Sequence, residues 1–134
     1  MDLSKTAACT LATSDEAAAA LGVPVTRTYS VPPLDGIGCE YATAASKVYL
    51  LVQVQHDPDM YFDRNPRQGR PVPGLGDAAF TGRSIMDGGE KIEVLAGDLV
   101  LTIQRIDPAK NTDIAGIDER LARLAHLVIP RLPH

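Results

Sequence analysis

One turn in the C-terminal third constrains this chain more than any other feature. If Gly97-Asp98 closes a two-residue hairpin, Ala96 faces Leu99, Val94 faces Leu101 and Ile92 faces Ile103 on one side of the ribbon. The other side then pairs Lys91 with Gln104, Glu93 with Thr102 and Leu95 with Val100. Side chains alternate across a strand, so a slip of one residue would send every apolar pair to the wrong face. A uniformly apolar first side therefore specifies the register. Gly88-Gly89 reads as a second turn that sets Ile85 opposite Ile92, and Phe80 to Ile106 is expected to form a three-stranded meander.

Asp107-Pro108 ends that sheet, and Thr112 or Asp113 is placed to cap a helix. Ile114, Ile117, Leu121, Leu124 and Val128 then recur at spacings of three and four, with Asp118, Glu119, Arg120 and Arg123 largely elsewhere on the circumference. The apolar stripe is expected to lie on the apolar face of the meander. Pro130 and Pro133 end the helix and the chain.

The front half carries its own signals. Thr13 and Glu16 make a capping box for a short helix through Ala17 to Leu21, stopped by Gly22 and Pro24. Strands are expected at Val25 to Tyr29, Gly38 to Thr43 and Lys47 to Gln55. In the last, Val48, Leu50, Val52 and Val54 line one face while Tyr49, Leu51, Gln53 and Gln55 line the other. Asp57-Pro58 predicts a short helical stretch carrying Met60, Tyr61 and Phe62.

With 134 residues, the chain buries roughly two thirds of its unfolded surface around one core, so residues 1–134 read as a single α+β domain. The expected architecture is an antiparallel sheet of about five or six strands with helices packed mainly on one face. The second face carries Tyr49, Leu51, Leu95 and Val100, more apolar than full solvation predicts, and is a candidate homodimer surface or the seat of a covering loop. Only 4% of residues are aromatic, so Val, Leu, Ile and Ala must fill the interior. A net charge of −4 spread along the chain argues against nucleic-acid binding, and no apolar run approaches the ~18 residues of a membrane span.

Arg70-Pro71-Val72-Pro73-Gly74-Leu75-Gly76-Asp77-Ala78-Ala79-Phe80 joins the halves, and Gly74-x-Gly76-x-x-Ala79 fits a dinucleotide-binding fingerprint. That chemistry needs a buried strand before the glycines and a helix after them, so that helix amides face the phosphates. Two prolines in four residues precede these glycines, and no helical pattern follows for some time. A structural turn with positive φ is the better reading, and no cofactor is expected. His56-Asp57-x-Asp59 with Asp63 is the densest set of metal-type donors, but Asp57 and Asp59 already suit a helix start and no metal is expected. Arg64, Arg67, Arg70, Gly74, Gly76 and Asp77 form the candidate ligand-binding set, since arginines beside outward-facing turn amides suit a small anion. Neither a nucleophile elbow nor a zinc-protease helix motif occurs, and Asp77, with no evident catalytic partner, reads as a residue fixing the turn.

Cys9 and Cys39 are the only cysteines and lack metal-type spacing. Each lies at the edge of an expected element, which suits a bridge in an oxidising compartment; two free thiols in a cytoplasmic protein are the alternative. Met1 to Lys5 has no apolar signal core, leaving an intracellular protein or one whose signal has been removed. Thr6-Ala7-Ala8-Cys9 faintly resembles a lipoprotein cleavage box, although a lipidated Cys9 would be unable to pair with Cys39.

Three signals occur in order: Cys9-Thr10-Leu11 before a helix ending Ala20-Leu21-Gly22, Cys39-Glu40-Tyr41 on a strand, and Val72-Pro73-Gly74-Leu75-Gly76-Asp77-Ala78-Ala79-Phe80. Together they resemble the small extracytoplasmic domains of unknown function found in actinobacterial and related cell-envelope lipoproteins. The resemblance covers most of the chain, but this sequence departs from the pattern in showing neither a signal nor a lipidation site. It implies an exported domain with the two cysteines bonded to each other and no established enzymatic activity. The expected function is a non-enzymatic extracytoplasmic module that binds a protein partner or small ligand. An enzyme or small-molecule carrier with its pocket near the Gly74 to Asp77 turn and the Arg64 to Arg70 loop is the alternative.

Overall fold

The computed structural model describes residues 3–45, 47–56, 69–84, 89–108 and 113–133. Among these, seven strands run β1 Val25–Ser30, β2 Gly36–Thr43, β3 Tyr49–His56, β4 Arg70–Pro71, β5 Ala78–Arg83, β6 Gly89–Ala96 and β7 Leu99–Ile106. Two α-helices accompany them, α1 Ser14–Leu21 and α2 Ile114–Val128, with short 3-10 turns at Ala8–Thr10 and Ile129–Arg131. The strands form one antiparallel sheet in the order β1-β2-β3-β7-β6-β5-β4, an α+β fold.

The hairpin at Gly97-Asp98 adopts the expected register throughout, from Ala96 opposite Leu99 to Lys91 opposite Gln104. The second turn differs. β5 meets β6 with Thr81, not Ile85, opposite Ile92, and the last ladder pair is Arg83 with Glu90. The Ser84 amide donates to the Gly89 carbonyl at 3.1 Å, so the connection is longer than a two-residue turn at Gly88-Gly89. The shift is by an even number of residues, so the apolar face of β6 still faces the core.

The sheet exceeds the expected five or six strands because Arg70–Pro71 forms a seventh. The prolines argue against a central parallel strand, and β4 is neither: it is an outermost, antiparallel strand that needs no amide hydrogen on its open side. The helical stretch expected from Asp57 lies outside the described residues.

One apolar cluster joins Leu50, Val52 and Val54 of β3, Leu101 and Ile103 of β7, and Ile92 and Val94 of β6 to both helices. It receives Ala17, Ala20 and Leu21 from α1, and Ile117, Leu121, Leu124, Ala125 and Val128 from α2. Each fully buried Leu or Ile contributes roughly 1.5 to 3 kcal/mol through the surface it takes from water. At eight residues α1 is too short to persist alone. Its capping box is complete: the Glu16 amide donates to Thr13 Oγ1 at 3.1 Å and the Thr13 amide donates to Glu16 Oε1 at 2.8 Å. Gly22 closes its other end in the left-handed region.

Before α1, Cys9 is disulfide-bonded to Cys39 of β2, with Cα atoms 5.1 Å apart. Beside this bridge the fully buried Tyr41 ring stands under the segment, and its hydroxyl donates to the Ala12 carbonyl at 2.8 Å. The far end of the chain returns to the same place, where Arg131 donates to the Leu11 carbonyl at 2.9 Å and to both carboxylate oxygens of Glu16. Those bonds, chiefly from Arg131 and then from the Thr13 amide, hold the Glu16 carboxyl at about 2.

Candidate functional site

The central glycine stretch forms a turn seated on the β6–β7 hairpin. Gly74 and Gly76 have φ of 75° and 59°. The two differ in surroundings. A Cβ on Gly74 would meet nothing within 4 Å, whereas one on Gly76 would stand 2.5 Å from the Leu95 carbonyl oxygen and 2.6 Å from Val94 Cγ1. Gly76 is thus required both by conformation and by the close approach of two backbones. Leu75 is buried between them. The Asp77 amide donates to the Leu95 carbonyl at 2.7 Å, and Asp77 Oδ2 accepts from the Gly97 amide at 2.7 Å. Its carboxylate ties the turn to the hairpin loop. A cavity of about 370 Å³ opens beside it, walled by Gly76, Asp77, Ala96, Leu99, Ile129 and Leu132.

Arg70 engages elsewhere. From β4 its Nε donates to Asp118 Oδ2 at 2.8 Å and its Nη2 donates to Glu90 Oε2. Thr81, the cross-strand partner of Arg70, donates to the same Asp118 oxygen at 3.1 Å. This cluster unites the edge of the sheet, β6 and α2. Its chemistry is unusual at Glu90, whose side chain is 2% exposed. Burial, reinforced by the Asp118 carboxylate and opposed by Arg70, pushes the Glu90 carboxyl up to about 8. A carboxylic acid kept neutral near pH 7 is able to share its proton with a neighbouring carboxylate. Arg83 and Arg105 are the cross-strand neighbours of Glu90, and Arg105 turns its Nη2 to the Leu21 carbonyl at 3.1 Å and toward Asp107 Oδ2 at 3.5 Å.

The expected ligand-binding set is therefore divided. Gly76 and Asp77 border the 370 Å³ cavity, while Arg70 is bound into the Glu90–Asp118 cluster. Arg64 and Arg67 lie outside the described residues, as do Asp57, Asp59 and Asp63 of the metal-type set. His56 Nδ1 lies 3.7 Å from Asp98 Oδ2. Glu90, Thr81 and Asp118 were not singled out from sequence. A signal existed for the first: Glu90 continues the alternating row of Ile92 and Val94, and a charge on a core row requires a partner. No short-range pattern links residue 90 to residues 70 and 118.

No protein-family model, curated protein or solved structure matches the chain. The functional reading rests on its own residues.

Proposed function

We propose that this chain is a non-enzymatic, extracytoplasmic binding domain, disulfide-stapled at Cys9 and Cys39, whose recognition surface is the side of the sheet away from Leu50, Val52 and Val54. In this reading both helices lie on one face of the sheet, supported by the single apolar cluster they share with that row. The observation that carries the reading is the opposite row. Tyr49 and Leu51 are half-buried at one end of that face and Val100, opposite Gln55, is half-buried toward the other, with Gln53, Thr102 and Gln104 between them; apolar side chains at both ends are more than full solvation predicts. A second copy of this chain is the partner it fits, since a flat two-fold contact lays like rows on one another. The bridge supports an oxidising compartment. Among the described residues, no helix is long and apolar enough to cross a membrane. The absence of enzymatic activity is supported by Asp77 and Arg70, whose charged ends are taken up by Gly97, Glu90 and Asp118.

Analytical ultracentrifugation over micromolar to millimolar concentration tests the surface. A monomer–dimer equilibrium abolished by Leu51→Lys is expected; a monomer at every concentration removes the dimer, and a dimer indifferent to Leu51→Lys places it on another surface. Titration of denatured, unreduced protein from its native host tests the compartment, with no reactive thiol expected and two refuting it.

A carrier or enzyme at the glycine turn is the second reading, favoured by the cavity beside Gly76 and Asp77. Native mass spectrometry showing a retained small molecule, displaced in Asp77→Leu, would establish it.

A further inference from the structure

Among the described residues, Arg27, Arg83 and Arg120 form no ion pair with a carboxylate, and of these Arg120 of α2 is the one with a buried guanidinium nitrogen that lacks an acceptor. Arg123 donates to Glu119 at 2.7 Å, Arg131 to Glu16, Arg70 to Glu90 and Asp118, and Arg105 lies 3.5 Å from Asp107. Among the described residues Arg120 has no such carboxylate, and its Nε is buried without a hydrogen-bond partner. A second cation stands near: the Arg105 guanidinium is held below its ordinary range, first by burial and also by the like charge of Arg120. A buried donor without an acceptor, beside a second positive charge, is an arrangement that an anion relieves.

The space for one is adjacent. Between α1 and α2 runs a groove of about 280 Å³ with Ala19, Ala20, Leu124 and Leu127 as its apolar walls and Arg120 among its lining residues. Leu127 is 43% exposed, an apolar side chain left at the surface of an otherwise sorted helix. Two carboxylates also reach the groove. Glu16 is held by Nη1 and Nη2 of Arg131, and Asp15 sits in the first turn of α1, where the helix N-terminus favours it. These carboxylates disfavour a doubly charged phosphate. One unpaired guanidinium matches one negative charge in a planar, bidentate group. The volume corresponds to about nine waters at roughly 30 Å³ each, the scale of an acid of about eight carbons.

We infer that the groove between α1 and α2 binds a medium-chain carboxylate, its apolar chain on Leu124 and Leu127 and its head on Arg120. The site is distinct from the sheet surface proposed above and stands or falls separately.

Amide shifts of the intact, isotope-labelled chain at pH 7 test this, with octanoate as ligand and octylammonium and octan-1-ol as controls. Octanoate is expected to give saturable shifts at Ala20, Arg120, Leu124 and Leu127, and to bind at least about tenfold more tightly than octylammonium. Arg120→Gln should weaken octanoate about tenfold and leave octanol unchanged, while Arg120→Lys retains part of the affinity. Absence of saturable shifts up to about 10 mM octanoate, well above the millimolar binding of a weak ligand, overturns the inference. So do shifts at another place, or equal binding of octylammonium. The discrimination between the three ligands by the unmodified chain decides the matter even if an Arg120 variant fails to fold.

Discussion

Replacing Glu90 by Gln keeps the shape of the side chain, its hydrogen-bonding capacity and the company of Arg70 and Asp118, and removes only the ability to ionise. Glu90 titrates at about 8 in the folded protein against 4.5 for an ordinary glutamate. The native state therefore holds this proton more tightly than the unfolded chain does. Stability contributed by the neutral acid is complete below about 4.5, declines as the pH rises toward 8, and is gone above it. At about 1.4 kcal/mol for each pH unit the decline amounts to roughly 3 to 5 kcal/mol, a large fraction of the stability of a domain this size. Glu90→Gln has no proton to lose. Urea unfolding followed by circular dichroism at pH 5, 7 and 9 should find the two proteins within about 1 kcal/mol at pH 5 and the Gln variant more stable by several kcal/mol at pH 9. The opposite assignment makes Glu90 an ionised partner of Arg70 at neutral pH. In that case the Gln variant would lose stability at pH 7 and 9, because the half-exposed Arg70 guanidinium would have lost its buried, charged partner. Parallel stability curves from pH 5 to 9, or a less stable variant at pH 9, would refute the reasoning.

Three further outcomes follow from the geometry. Removing the Cys9–Cys39 bridge, by reductant or by the double alanine variant, should cost about 3 to 4 kcal/mol for a loop whose ends are 30 residues apart, read as a drop in the urea midpoint. Gly74→Ala and Gly76→Ala should separate conformation from space: about 1 kcal/mol for the first, which has positive φ alone, and at least about 3 kcal/mol for the second, whose Cβ would press on the Leu95 carbonyl. Glu16 has a depressed carboxyl pKa, so its contribution is present above about 4.5 and disappears as the pH falls toward 2. Glu16→Gln preserves the capping box, and its thermal midpoint should be lower than that of the parent at pH 7, by the equivalent of about 1 kcal/mol at this partly solvated site, and equal to it at pH 2.

Local signals proved readable where the structure is local. Thr13, Glu16 and Gly22 bound α1 within a dozen residues, and the Gly97-Asp98 turn fixes six cross-strand pairs through alternation alone. The register of β5 was misjudged because two adjacent glycines supply a plausible turn without compelling one, and the even shift leaves the binary pattern unchanged. β4 was missed because its strand character comes only from Thr81 and Phe80 across the ladder, with nothing in Arg70-Pro71 to announce it. The candidate sites show the same division. Asp77 is readable as a residue that fixes the turn, but both of its bonds run to the hairpin, its amide donating to the Leu95 carbonyl and its carboxylate accepting from the Gly97 amide, a partner that the local pattern does not name. Arg70, Glu90 and Asp118 come from three distant parts of the chain, and charge alone does not choose among the thirteen cationic and seventeen acidic residues available.

The position of β7 bears on how the molecule is assembled. It is the last strand in the chain yet lies fourth of seven in the sheet, flanked by β3 and β6. A chain emerging from a ribosome or a translocation pore presents β1 to β3 first, with the open side of β3 unpaired until residues 99–106 arrive. Cys9 and Cys39 both belong to that early portion and are able to join before the sheet is complete. Fragments ending before Leu99 leave Leu50, Val52 and Val54 with their β2 neighbours but without those on β7, and the raw edge of β3 is a template for other chains. Completion is thus held back to the final third of synthesis, and a long dwell before β7 is the interval in which this sequence is most exposed to aggregation.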